Sequence, residues 1–214
     1  MSGEAGVSGA GVSGAGVSGA GVSGEAGVGG ADVSAVVNGG TGVSGGAGVG
    51  RATAGPAGER CLRSVLGRFA TGVVAVATRD PGTGERAGLA ANSFCSVSLD
   101  PPLVSFCVAH TSSSWPRIRA AGQLGISILG AGQREAATRL AVRGGDKFAG
   151  LPWSASPGGA PVLDGALAWL ECTIEAEHPA GDHVIVVARV LRLDASREGE
   201  PLLFFRGEFE RISR

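Results

Sequence analysis

The first fifty residues contain no lysine, no arginine and no aromatic side chain. They hold 19 of the chain's 39 glycines and only three acids, Glu4, Glu25 and Asp32. A segment without large apolar side chains cannot offset its own ordering entropy. That excludes a core there and sets the expected organisation. Residues 1–58 read as a disordered Gly/Ala/Val/Ser-rich tail, and residues 59–214 as one globular domain with a sizeable core. Residues 5–24 are four copies of Ala-Gly-Val-Ser-Gly. A period of five fits no solenoid repeat, so the stretch is low-complexity sequence.

Other absences narrow the function. Without the three tail acids the chain balances 16 acids against 18 bases, with no basic stripe, so nucleic acid is not an expected partner. No apolar run reaches the length of a bilayer span, so no membrane segment is expected. The N-terminus has neither a basic nor an apolar region of the secretory kind. Cys61, Cys95, Cys107 and Cys172 have no metal-ligand spacing and form no Cys-x-x-Cys. They read as reduced, buried thiols of a cytoplasmic protein, and no metal is expected. There is no Gly-x-x-x-x-Gly-Lys phosphate loop, no His-Glu-x-x-His and no complete dinucleotide fingerprint. No Gly-x-Ser-x-Gly occurs on a strand-to-helix turn.

What is present alternates between short strands and few helices. Leu62, Val65, Leu66 and Phe69 share one helical face, so a helix is expected over 59–70, ended by Gly72. Residues 73–78 and 86–91 flank Pro81-Gly82-Thr83-Gly84 and predict a hairpin. Ser112-Ser113-Ser114 precedes a short helix over 115–122. A strand is expected over 124–129 and a helix over 133–142. Residues 144–166 read as a long irregular connection. Two long strands, 168–176 and 184–193, enclose a turn over 178–183. Residues 201–205 and 207–211 finish as a last hairpin or one bent strand. Helices do not alternate regularly with strands, which disfavours a doubly wound sheet. The expected fold is mainly β, an antiparallel Greek-key barrel with flanking helices.

The stretch 88–114 carries the sharpest chemistry. Ala90-Ala91-Asn92-Ser93-Phe94 offers small side chains beside accessible peptide groups. A planar ligand such as an isoalloxazine needs that kind of edge recognition. The alternative is a strand end and turn rich in Ser and Asn. Thr111-Ser112-Ser113-Ser114 can take a phosphate, or simply cap the helix behind it. With the apolar strand around Leu103, Val104, Phe106 and Val108 between them, the two flanks suit the ring and phosphate of a flavin mononucleotide. His183, after Gly181-Asp182, is the natural general base, or else a turn histidine bonded to backbone. Arg206 can meet an anion or sit exposed on an edge strand. Trp153 reads as packing.

The segments Leu66–Val74, Gly88–Phe94, Ser96–Val104, Ser112–Trp115, Asp146–Gly150, Gly181–His183 and Pro201–Gly207, taken in order, cover residues 59–214. The sequence resembles the flavin reductase-like, FMN-binding split-barrel family, the small reductases of two-component flavin monooxygenases. The resemblance implies a six-stranded split barrel, a homodimer with flavin near the subunit interface, and reduction of FMN or FAD by NADH or NADPH for a partner monooxygenase. It places Ala90, Asn92, Ser93, Phe94 and Ser96 along the ring, Ser112 and Ser114 near the phosphate, and His183 on the nicotinamide side. Ala90 stands where the family commonly has Thr, and Phe209 where it commonly has Tyr. The alternatives are a flavoprotein with tightly held FMN in another redox reaction, and a non-catalytic flavin carrier.

Overall fold

The computed structural model describes residues 55–195 and 198–212. The repeat tail expected over 1–58 therefore lies outside the described residues up to position 54. Helix α1 (Pro56–Leu66) starts three residues earlier than expected, because Pro56 at its first position is preset for helical φ. It also stops earlier. Gly67 caps it, donating its N–H to the Arg63 carbonyl at 2.8 Å. Gly72, expected as the helix stop, lies instead in a short strand β1 (Thr71–Gly72).

Strands β2 (Val74–Arg79) and β3 (Arg86–Ala91) form the predicted hairpin. Asp80 builds its turn: the carboxylate accepts the N–H groups of Gly82 and Thr83, each at 2.8 Å. Next come β4 (Cys95–Leu99), β5 (Pro102–Ala109), α2 (Trp115–Ala121) and β6 (Gln123–Ile128). A 3-10 turn, Ala131–Gln133, leads into α3 (Arg134–Ala141). The connection 144–166 is less irregular than its composition suggests, since β7 (Trp153–Ala155) and β8 (Pro161–Leu163) pair within it. Strands β9 (Ala168–Ala180) and β10 (His183–Asp194) run longer than expected. His178, Pro179 and Ala180 belong to β9, and only Gly181 and Asp182 make the turn. Gly181 has φ 63°, which a two-residue hairpin connection of this kind needs. The chain ends in β11 (Leu203–Phe205) and β12 (Glu208–Glu210), paired as a hairpin.

Seven strands make one antiparallel sheet in the order β3-β2-β6-β9-β10-β5-β4. It curls until β3 touches β5. Its concave side encloses Val76, Leu89, Phe106, Val108, Leu124, Ile126 and Val186. Helix α2 plugs this core with Trp115 and Ile118, and the Trp115 ring meets Phe106 edge-on at 6.0 Å. A second core lies on the outer side of β2 and β3. There Val73, Ala75 and Ala90 meet Ala137 and Leu140 of α3 and Phe204 of β11. Strands β2 and β3 are buried on both sides, which is why their sequence is apolar at nearly every position.

Burial leaves one apolar face open and overturns one expectation. The apolar stripe of α1 is not core: Leu62, Val65, Leu66 and Phe69 are 51%, 59%, 55% and 76% exposed. The thiols are not uniformly buried either. All four are free, but only Cys172 is enclosed, while Cys61 and Cys95 are exposed. Burial beside the Glu171 charge pushes the Cys172 thiol up to about 12.

Glu171, on β9, is fully buried and was not singled out by its sequence context. Its carboxylate accepts from Ser156 Oγ at 2.7 Å, Gly158 N at 2.8 Å, Gln123 Nε2 at 2.9 Å and an Arg192 guanidinium N–H at 2.6 Å. Position 158 must be glycine, because a Cβ there would collide with this carboxylate. Burial works against the charge, yet the Ser156 and Gly158 bonds and Arg192 outweigh it and hold the carboxyl below its usual range. A depressed native pKa contributes stability that is fully present above the unfolded value and lost as pH falls through the native one. Glu171→Gln is expected to lower stability by about 2–3 kcal/mol at neutral pH, roughly 5–10 °C in Tm. The gap between the two proteins should narrow below pH 4.5, the ordinary value of the group. Thermal melts over a pH series measure it, and a gap constant down to acid would show that Glu171 contributes as a neutral group.

Candidate functional site

The site is assembled around the C-terminal half of β5. Val104, Phe106 and Val108 of this strand face the inner core. Ser105, Cys107 and Ala109 therefore face outward, by the period-two alternation of a strand. Ser93 reaches this face from the β3–β4 link, and its Oγ accepts the Cys107 N–H at 2.8 Å. Cys95 pairs with Ser105, and their Sγ and Oγ atoms lie 3.1 Å apart. The β4–β5 ladder then slips between Ser96 and Ser98. Such a bulge frees peptide groups from pairing, a common device beside active sites. Asn92, Ser93 and Phe94 are half-buried, while Cys95, Ser96 and Val97 are exposed. Phe94 packs against the inner core.

Ala90 does not join them. It is fully buried, with its methyl in the second core. The small side chain meets neighbouring core residues of α3 and β11 rather than an exposed face, so position 90 is a packing position in this chain.

His183 opens β10 directly opposite Ala109. Ala109 lies two residues beyond Cys107, about 7 Å along the strand. The histidine thus shares the outer face with Ser93 and Cys107. Its side chain is 33% exposed, and Nδ1 lies 2.7 Å from Asp182 Oδ1. This bond, and then the charge of His183, hold the Asp182 carboxyl below its usual range, with a smaller contribution from His110. His110 N–H donates to the Asp182 carbonyl at 3.0 Å. His178 lies in β9 opposite Ile185. Arg206 adopts φ 52°, donates its N–H to the Gly67 carbonyl and lies over the Phe205 ring. It fixes the end of α1.

The hydroxyl cluster continues from β5. Thr111 and Ser113 are exposed, whereas Ser112 and Ser114 are each 6% exposed. Ser112 Oγ accepts the Trp115 N–H at 3.3 Å. Ser114 Oγ accepts from Lys147 Nζ at 3.0 Å. Lys147 is the one lysine of the chain and is nearly buried. It also donates to the carbonyls of Gly88 at 3.3 Å and Leu140 at 3.1 Å. The sequence offered no direct sign of this cation, because its partners lie 59, 33 and 7 residues away. Trp153 packs on Phe148, with ring centroids 4.9 Å apart, as expected of a packing residue.

The donor set suits a flat, uncharged ring edge. Around the bulge it consists of one amide (Asn92) and two hydroxyls, the half-buried Ser93 and the exposed Ser96. A phosphate end has hydroxyls and one ammonium within the adjoining segment. Among the described residues no cluster of three or more His, Cys, Asp or Glu could hold a metal ion.

Residues 66–213 match the flavin reductase like domain family. The reductase subunit HsaB of a flavin-dependent monooxygenase from Rhodococcus jostii is 43% identical over 153 residues, covering 72% of this chain and 77% of its own. An FMN reductase (NADH), SmoA, from Agrobacterium fabrum is 44% identical over 161 residues, 74% of this chain and 90% of its own. The NADH:FAD oxidoreductase of Streptomyces globisporus, solved in complex with NAD and FAD fragments, superposes with TM-score 0.68 at 38% identity, covering 72% of this chain and 93% of that one. A half-buried outer face of β5 beside the β4 bulge and His183, on a sheet of this topology, and matches of this extent lead to one conclusion: this chain belongs to the flavin reductase-like family of split-barrel proteins.

Proposed function

We propose that the chain is an NAD(P)H:flavin oxidoreductase that reduces FMN or FAD and supplies the reduced flavin to a partner monooxygenase. The single observation that carries this reading is the convergence of Ser93, the β4 bulge and His183 on one outer face of β5. When bound, the flavin supplies a ring nitrogen that accepts hydride from the nicotinamide. The residues of the chain have the tasks of binding, orienting and excluding water.

Asn92, Ser93, Phe94 and Ser96 are assigned to the ring. Ser93 is braced by the Cys107 N–H, so its position is fixed before any ligand arrives. Phe94 anchors the segment in the core. The phosphate end is assigned to residues 111–114, where Ser112 and Ser114 shape the segment and Lys147 sets its charge. Asp182 orients His183 through Nδ1. This leaves Nε2 to face the nicotinamide side, where a fixed imidazole can steer the ring and hold a proton. The functional unit is assigned as a homodimer. In support, β4 and β10 expose Val97, Leu99, Ile185, Leu191 and Leu193 on the single chain, an apolar surface that a second copy would cover. A cytoplasmic setting accords with four free thiols. Among the described residues no helix is long and apolar enough to cross a membrane.

His183→Ala is expected to slow flavin reduction about tenfold, a barrier increase of about 1.4 kcal/mol, while flavin affinity changes less than twofold. Stopped-flow reduction by NADH, with flavin affinity measured by fluorescence quenching, separates the two quantities. Equal losses in both would reassign His183 to flavin binding. Ser112→Ala with Ser114→Ala should weaken FMN more than riboflavin, since only FMN carries the phosphate. Equal weakening of both ligands would remove the phosphate assignment. The function itself rests on steady-state NADH and NADPH oxidation with added FMN or FAD. Flavin binding without oxidation above the free-flavin background would overturn it.

A further inference from the structure

Helix α1 is amphipathic and almost unpartnered. Leu62, Val65, Leu66 and Phe69 recur at i, i+3, i+4 and i+7. The turn after the helix continues this line, with the Arg68 and Phe69 N–H groups donating to the Val65 and Leu66 carbonyls at 3.1 and 3.0 Å. All four apolar residues are more than half exposed, and Gly58 is the one buried residue of the helix. The helix is nevertheless anchored, since the Gly67 carbonyl accepts the Arg206 N–H at 2.7 Å. This spacing is the set of anchors by which an amphipathic helix seats on a partner.

A second uncovered apolar surface lies on the same chain. Val97, Leu99, Ile185, Leu191 and Leu193 are exposed on β4 and β10. In the register of β10 with β5, Leu191 and Leu193 lie beyond the Arg189–Leu103 pair, at the end where Leu99 leads into β5. The charges beside the two surfaces differ in sign. Around the α1 stripe, Arg60, Arg63 and Arg68 stand against Glu59 alone. On the other surface, Asp100 and Asp194 follow Leu99 and Leu193, are exposed and make no ion pair among the described residues. The cations there, Arg189 and Arg192, are already held by Glu175 and Glu171. Each surface measures on the order of a few hundred Å². A stable dimer buries about 800 Å² on each partner, so neither surface suffices alone. In a two-fold dimer each copy offers both, which brings the total to that order.

We propose that α1 is an arm exchanged between two copies, its stripe seated on the β4 and β10 surface of the other copy. The cationic start of the arm, Arg60 and Arg63, meets Asp100 and Asp194. Leu62 to Phe69 spans about 10 Å along the helix axis, and Leu99 to Val97 and Cys95 spans about 7–14 Å along β4. Phe69 therefore lies beside the ring segment of the other copy and helps to close that site. The inference rests on the homodimer assigned above and adds which surfaces meet.

Two measurements on the full chain, free of flavin and nucleotide, test it: sedimentation equilibrium, and the rate at which N-ethylmaleimide alkylates Cys95, read by peptide mass spectrometry. The wild type should be a dimer. Leu66→Asp should raise the dimer Kd at least tenfold and speed Cys95 alkylation at least tenfold. Leu66 is exposed in the single chain, so this substitution removes no core contact. Arg60→Glu with Arg63→Glu should weaken the dimer at least fivefold, and adding Asp100→Arg with Asp194→Arg should restore it to within twofold. A dimer that Leu66→Asp leaves unchanged overturns the arm while the homodimer stands. So does equal Cys95 reactivity in wild type and Leu66→Asp, or failure of the aspartate changes to restore the dimer. A monomeric wild type overturns arm and homodimer together. None of these results bears on the reductase reading, which NADH oxidation with added flavin decides separately.

Discussion

The register of β5 is the constraint on which the rest depends. Val104, Phe106 and Val108 fill the barrel, so Ser105, Cys107 and Ala109 must face out. A slip of one residue would bury the site and expose the core. The register is held from both sides, by β10 along seven consecutive pairs and by β4 along four. The pairing with β10 sets His183 opposite Ala109, and the Ser93 bond sets the β3–β4 link opposite Cys107. Packing in the interior thereby fixes the placement of groups on the outer face of β5.

Two buried charges of opposite sign pin the long connection 144–166, and both use neutral partners as much as ionic ones. Lys147 fixes its start with the carbonyls of Gly88 and Leu140 and the Ser114 hydroxyl. Glu171 fixes its middle by gathering Ser156 and Gly158. A buried charge left without partners costs several kcal/mol, so each holds its loop tightly. The segment has few large apolar anchors before Trp153, and polar pinning takes their place.

Local signals in the sequence carried the hairpin β2–β3, the helix α2 and the Gly-Asp-His turn, because each depends on residues within a few positions of one another. The proposed site segments at 92–96 and 111–114 are likewise short runs whose residue types can be read locally. Their long-range neighbours were not readable in this way. Lys147 and Glu171 act across dozens of residues, and nothing near them in sequence signals a buried charge. Ala90 shows the opposite error. A small residue reads equally as an opening for a ligand or as a close-packed position, and burial in the second core decides for packing. Helix α1 has the periodicity of a core helix, yet its stripe is uncovered. Periodicity reports that a face is apolar and is silent on what covers it.

That uncovered stripe bears on how the site is closed. Helix α1 leads through Phe69 and β1 to Val74, which pairs with Ala91 at the threshold of the ring segment. Leu62, Val65, Leu66 and Phe69 stay uncovered before that point. The outer faces of β4 and β10 are apolar and uncovered as well. A single chain leaves Cys95, Ser96 and Val97 open to water. Reduced flavin reacts readily with oxygen, and hydride transfer itself gains from excluding water. A homodimer that covers β4 and β10 would meet both requirements with surfaces the chain already carries, and it would place the ring end of each site against the other copy.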